Sequence, residues 1–121
     1  MDEAQALLTK VFDAYNRGDW NAFAELMTPD IDWPNQIEGG RVVGLEALEA
    51  YWRRNSQSIR VELAARAFSV LPNGRVAVDI NQTVHNASTG RLWSDSRVRH
   101  HYILRDGRVA RMEVEPLASR T

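Results

Sequence analysis

The chain has 121 residues, 44% of them hydrophobic and 26% charged, with a formal net charge of −1. That length supports one domain spanning residues 1–121, and this charge balance excludes nucleic-acid binding by bulk positive charge. No run approaches a membrane span, and the absence of cysteine rules out a disulfide framework or a thiolate site. The fourteen arginines against one lysine read as genomic base composition rather than function. Met1-Asp2-Glu3-Ala4 is acidic where a secretory leader needs basic residues, so the expected location is the cytoplasm, with no nucleic-acid or membrane partner.

Leu7, Leu8, Val11, Phe12 and Tyr15 recur at the spacing of one helical face, with Asp2 and Glu3 suited to the helix start and Gly18 to its stop. Asp19 then caps a short second helix carrying Phe23, Leu26 and Met27, which Thr28-Pro29-Asp30 ends. Ile31 to Pro34 reads as a short strand, and Asn35 to Gly44, with three glycines, as a loop. A third helix runs from about Leu45 to Ser58 and puts Leu45, Leu48, Tyr51 and Trp52 on one side.

From there the pattern is all strand. Val61 to Leu71 is followed by a Pro72-Asn73-Gly74 turn and by Arg75 to Asn86. Ala87 to Arg91 fits a three-residue hairpin loop with Gly90 left-handed, leading into Arg91 to Leu104. Pairing Ala87 with Arg91 sets Ile80 opposite Val98 and Val78 opposite His100, which brings the two apolar faces together and leaves Gln82 and His100 as polar intrusions. Arg105 to Arg108 turns the chain into a last strand, Val109 to Glu115, and the tail after Pro116 is expected to fray.

This order predicts an α+β domain: three N-terminal helices on the concave face of a curved, mainly antiparallel sheet. Three helices cannot fill the whole curve of so long a sheet, so a cavity is expected at its open end. His100 then faces the cavity. A neutral imidazole there suits acid/base work near neutral pH, and partial burial favours the neutral form. The alternative is a core histidine bonded to Gln82, Tyr102 or water.

On the loop, Glu38 is the one nearby carboxylate able to act as a catalytic base and Arg41 could neutralise an anion, with solvated loop charges as the other reading; Asn35 there, or Gln82 or Tyr102 on the sheet, could orient a ligand oxygen. Tyr51 and Trp52 read either as core or as flat walls for a hydrophobic or aromatic ligand. A metal is not expected, because His100 and His101 point to opposite faces and His85 adds no useful spacing. The outer face carries Trp93, Arg97, Arg99 and His101 against Asp79, Asn81, Thr83 and His85, as a solvated face or as the contact of a homodimer.

Four runs carry a family likeness: Tyr15-Asn16-Arg17-Gly18-Asp19-Trp20, Pro29-Asp30-Ile31-Asp32-Trp33, Gly44-Leu45-Glu46-Ala47-Leu48 and Arg105-Asp106-Gly107-Arg108-Val109. From Leu7 to Val114 the chain resembles the nuclear transport factor two-like superfamily, within it the SnoaL-like group related to polyketide cyclases and steroid delta-isomerases. The resemblance implies a cone-shaped fold, a pocket for an apolar carbonyl compound, no cofactor, and dimerisation through the sheet. It fixes no reaction, because this fold hosts isomerases, cyclases, hydrolases, dehydratases and non-catalytic binding modules; a cofactor-independent isomerase, cyclase or lyase and a non-catalytic binding or dimerisation module are the two expectations. Steroid isomerases keep an Asp before Pro on the first strand, where this chain has Trp33 before Pro34. Their tyrosine on the first helix falls on Val11, and their protonated Asp on the long strand falls on His100. The likeness therefore implies that Trp33, His100 and Met112 line the pocket, while the steroid-isomerase residues themselves are absent.

Overall fold

A computed structural model describes residues 3–117, so Asp2 and the tail from residue 118, expected to fray, lie outside the described residues. Helix α1 (Glu3–Arg17) buries Leu8, Val11, Phe12 and Ala14 as one stripe, and Gly18, at φ 70°, supplies the left-handed stop. The Asp19 carboxylate accepts the Ala22 N–H at 3.1 Å and so caps α2 (Trp20–Glu25).

Helix α2 ends earlier than the sequence pattern suggests. Met27 already belongs to strand β1 (Met27–Pro34), so Thr28-Pro29-Asp30 lies in a strand instead of breaking a helix. The proline is tolerated because the β1 ladder to the last strand, β6 (Arg108–Pro116), shifts register between Met27 and Asp32, where no Pro29 N–H is needed.

Part of the expected loop is also strand. Asn35 and Gly40 close a turn through a 3.0 Å backbone hydrogen bond, and β2 (Arg41–Val43) folds back on β1 with Trp33 opposite Val42. Three residues are too few to show alternation in a sequence. Helix α3 (Leu45–Ser56) follows, two residues shorter than expected.

The long strands β3 (Ile59–Val70), β4 (Val76–Asn86) and β5 (Leu92–Arg105) then form, with β6, a six-stranded sheet in the order β2-β1-β6-β5-β4-β3. All neighbours are antiparallel except β1 and β6, which run parallel. Arg66 is an extra residue in β3, since Ala65 pairs with Ile80 and Ala67 with Asp79.

The central register is the expected one, with Ile80 opposite Val98 and Val78 opposite His100. The hairpin end differs. Asn86 donates its N–H to the Arg91 carbonyl at 2.8 Å, so four residues form the loop, with Gly90 at φ 77°. Val84 pairs with Ser94 and His85 with Leu92, which leaves Trp93 as a bulge that restores the register. Asp106 and Gly107, both at positive φ, make the tight turn from β5 to β6 that a two-residue hairpin requires.

The helices lie on one face: α1 packs on β3, α2 on β1, and α3 on β1, β2 and β3. No helix among the described residues is long and apolar enough to cross a membrane. Ile80, with 0% exposure, lies in the core between sheet and helices. Ile80→Ala should lower unfolding stability by about 2–5 kcal/mol in urea titration. Val70→Ala on β3, where the side chain is 70% exposed, should change it by less than about 0.5 kcal/mol.

Candidate functional site

The C-terminal turn of α1, the inner side of α3 and the inner faces of β3, β4 and β5 enclose a cavity of about 850 Å³. Tyr15, Asn16 and Leu48 line it from the helices, Val61, Leu63, Gln82 and Val84 from the sheet, and Trp33, His100 and Met112 lie deep within it. Ile37 and Trp93 stand at its exposed mouth.

An amide holds one wall in place. Asn16 donates from Nδ2 to the Leu63 carbonyl at 2.8 Å and accepts the Leu63 N–H on Oδ1 at 2.9 Å. This side chain satisfies both backbone groups of an edge-strand residue, as a neighbouring strand would.

The aromatic wall is a connected cluster. Trp52 packs against Tyr15 and Trp20, each with ring centroids 5.3 Å away, and against Phe23 at 4.8 Å. Phe23 in turn meets Trp33 edge-on at 5.6 Å. The Tyr51 hydroxyl accepts the Gln36 N–H at 3.0 Å and ties the β1–β2 turn to α3 at the cavity edge. Tyr15, another lining residue, has its hydroxyl pKa raised by burial first and by Tyr51 second, so it stays a neutral donor.

His100 is 2% exposed and still forms part of the cavity surface. Its Nδ1 lies 2.8 Å from the Tyr102 hydroxyl, and its Nε2 is buried without a hydrogen-bond partner among the described residues. Burial, with a smaller contribution from the His101 charge, pulls the His100 pKa down to about 3. The ring is therefore neutral at pH 7. Tyr102, fully buried behind it, is pushed well above the usual phenol pKa by burial and then by Tyr15.

Of the residues singled out in the sequence, Trp33, Tyr51, Trp52, Gln82, His100 and Met112 meet around this one cavity. Asn35, Glu38, Arg41 and Tyr102 do not line it. Asn35 uses Oδ1 to accept the N–H groups of Ile37 and Glu38 at 3.1 and 2.9 Å, so it shapes the turn and holds Glu38 on the exposed outside. Arg41 is occupied as a clamp: Nε reaches Asp32 at 2.6 Å, and its terminal nitrogen donates to the carbonyls of Asp32 and Met112. Asp32, which also pairs with Arg111, points away from Trp33 as strand alternation requires.

Trp93 changes sides. Alternation puts it on the outer face, but the bulge places it at the cavity mouth, 54% exposed. On the outer face itself, Arg99 pairs with Asp79 at 2.6 Å and His101 with Glu115 at 2.8 Å. Hydrogen bonding to Arg99 is the main cause that holds the Asp79 pKa below its ordinary value. Sequence reasoning passed over Tyr15 and Asn16 as lining residues; their place in the last turn of α1, level with the open end of the sheet, was the available signal. Among the described residues, no cluster of His, Asp or Glu is arranged to hold a metal ion.

The SnoaL-like domain model matches residues 8–112, and the chain belongs to that family. No curated protein matches it. Among solved structures it is similar to a candidate polyketide cyclase from Xanthomonas campestris pv. campestris, at 22% identity over 93% of this chain and 88% of that one, TM-score 0.80. A nuclear transport factor two-like protein of unknown function from Burkholderia pseudomallei is 20% identical over 96% and 92% of the two chains, TM-score 0.81. TerC, co-crystallised with polyporic acid, is 20% identical over 95% of this chain and 92% of its own, TM-score 0.80. At these identities the likeness establishes the fold.

The depressed His100 pKa sets a pH dependence. Between the ordinary value of 6.5 and about 3, the unfolded chain binds a proton that the folded chain does not, so this contribution to stability is complete above pH 6.5 and declines as pH falls. Urea titrations should show wild-type stability falling more steeply from about pH 6.5 to 4.5 than that of His100→Gln, and parallel curves would remove the effect.

Proposed function

We propose that this SnoaL-like protein takes a flat, largely apolar carbonyl compound into the cavity. His100 is the proton-bearing group at the carbonyl oxygen, in a cofactor-independent isomerase, cyclase or lyase. One observation carries the reading: an aromatic-walled cavity includes a neutral, buried imidazole with one nitrogen unpartnered among the described residues. The neutral Tyr15 hydroxyl is a second donor for the same ligand. A carbonyl oxygen held by fixed donors in a dry site gains electron density on enolisation, and donors placed there lower the cost of removing the adjacent proton. The candidate polyketide cyclase and the TerC–polyporic acid pair among the structural neighbours support this ligand class.

A second reading has its own support. Glu62, on the exposed edge strand, is the one carboxylate among the lining residues, so no buried base accompanies His100 among the described residues. In that case the protein binds its hydrophobic metabolite without reacting it. For either reading we propose a homodimer through the outer sheet face, with Arg97, Arg99 and His101 in the contact and Trp93 outside it.

The two readings separate with 2-acetonaphthone as probe. Quenching of tryptophan fluorescence should report its binding, and His100→Phe should weaken that binding about 10- to 100-fold, the cost of one lost hydrogen bond to a buried partner. Proton NMR in deuterium oxide should show methyl exchange above the buffer rate in wild type. Binding without exchange selects the non-catalytic reading, and failure of the ketone to bind removes the carbonyl-ligand proposal.

A further inference from the structure

The contact between His100 and Tyr102 carries more than a position. We infer that Tyr102 fixes the tautomer of His100, so that Nε2 bears the ring proton and the cavity selects ligands that bring an acceptor oxygen to His100. The selection of ligands rests on the proposed function above, whereas the tautomer does not.

A phenol has one proton, and a buried one needs an acceptor. Tyr102 has 0% exposure and does not line the cavity, so its hydroxyl has no route to a ligand or to solvent. Among the described residues, the one hydrogen-bond partner of that hydroxyl is His100 Nδ1, at 2.8 Å. If Tyr102 donates, Nδ1 is the acceptor and the ring proton sits on Nε2. With Nε2 protonated, its N–H alone lacks a partner among the described residues; if instead Nδ1 carried the proton and donated to the hydroxyl oxygen, both the phenol proton and the Nε2 lone pair would be buried without one. That arrangement is disfavoured by roughly tenfold to a hundredfold.

The doubly protonated ring is disfavoured by the burial that surrounds it. His100 therefore carries its N–H on Nε2, the nitrogen that Tyr102 leaves free; this atom is itself buried at the cavity wall, so a ligand oxygen that takes its hydrogen bond has to displace the side chains that cover it. Such a ring donates to a carbonyl or enolate oxygen and cannot take a proton from carbon, because its basic nitrogen is already engaged. Tyr102 is a positioning residue in this arrangement, acting through His100. A base for any catalysed proton removal has to come from another group.

The test uses the full chain labelled with 15N at histidine, with the His100 signals identified by their loss in His100→Gln. Long-range proton–nitrogen correlation at pH 7 should show His100 as a single tautomer with Nε2 protonated. Tyr102→Phe, which removes one hydroxyl and keeps the ring, should give a mixture of the two tautomers. A wild-type spectrum with Nδ1 protonated overturns the inference, and an unchanged tautomer in Tyr102→Phe overturns the role of Tyr102. If that variant does not fold, the wild-type spectrum still decides the tautomer.

For selectivity, 2-acetonaphthone should bind wild type about tenfold more tightly than its hydrocarbon isostere 2-isopropenylnaphthalene, and the preference should shrink in Tyr102→Phe. Absence of binding by both probes, with Nε2 protonated, sinks the proposed ligand class and leaves the tautomer standing. Equal binding of the two probes overturns the selection of acceptor ligands.

Discussion

The pair of hydrogen bonds between Asn16 and Leu63 decides where empty space exists in this molecule. Strand β3 ends the sheet, and a helix laid over an end strand ordinarily closes on it by burying side chains. Here an amide occupies the backbone of Leu63 and sets the separation of the last turn of α1 from the strand. With α2 on β1 and α3 spanning β1, β2 and β3, the space beyond Asn16 is roofed by Phe23 and the inner side of α3 without being filled, and it becomes the cavity. The polar contact thus acts on packing, because it fixes a distance that apolar contact alone would let collapse.

Inside that space the electrostatics are simple because the charged residues that line it, Arg17, Arg60 and Glu62, are all exposed. The ion pairs run along the outer face and the rim, Arg41 with Asp32, Arg99 with Asp79, and Arg17 with Asp13 and Asp19. The deep polar groups, His100 and Tyr102, are both neutral, and burial is the chief cause for each. A neutral imidazole in a low-dielectric setting attracts a partial negative charge without incurring the full desolvation of an ion. Such a site suits an uncharged ligand whose oxygen becomes more negative along a reaction or on binding. It suits a carboxylate or phosphate poorly.

Much of the fold could be read from the sequence, and for identifiable reasons. The inner faces of β4 and β5 alternate cleanly, and their hairpin is local, so the opposition of Val78 and His100 followed from counting. Helix α1 showed its stripe and its glycine stop. Three features were hidden. The parallel pairing of β1 with β6 joins segments about eighty residues apart, with no turn to announce it. Strand β2 was too short to alternate, and its arginine looked like a loop charge when it is a clamp on two carbonyls. The bulge at Trp93 was lost because strict alternation has no place for an extra residue, and one residue moves a side chain across the sheet. At the site, residue types read well on regular elements, as with Trp33, Gln82 and His100. They read poorly on the turn, where Asn35 and Glu38 commit their polar atoms to local geometry.

Strand β3 has twelve residues at the border of the sheet, and most of its side chains are exposed. Outside Leu63, whose N–H and carbonyl Asn16 already occupies, the unpaired backbone groups of such an edge are a template on which a foreign extended chain, or a misfolded copy, could add itself. Arg66 interrupts it. The extra residue puts the two halves of the strand out of phase, so an incoming strand in register with Ile59 to Ala65 is out of register from Ala67 onward. The kink that allows β3 to follow the curve of the sheet therefore also limits how far an intermolecular ladder can grow, and the bulge contributes to colloidal stability as well as to shape.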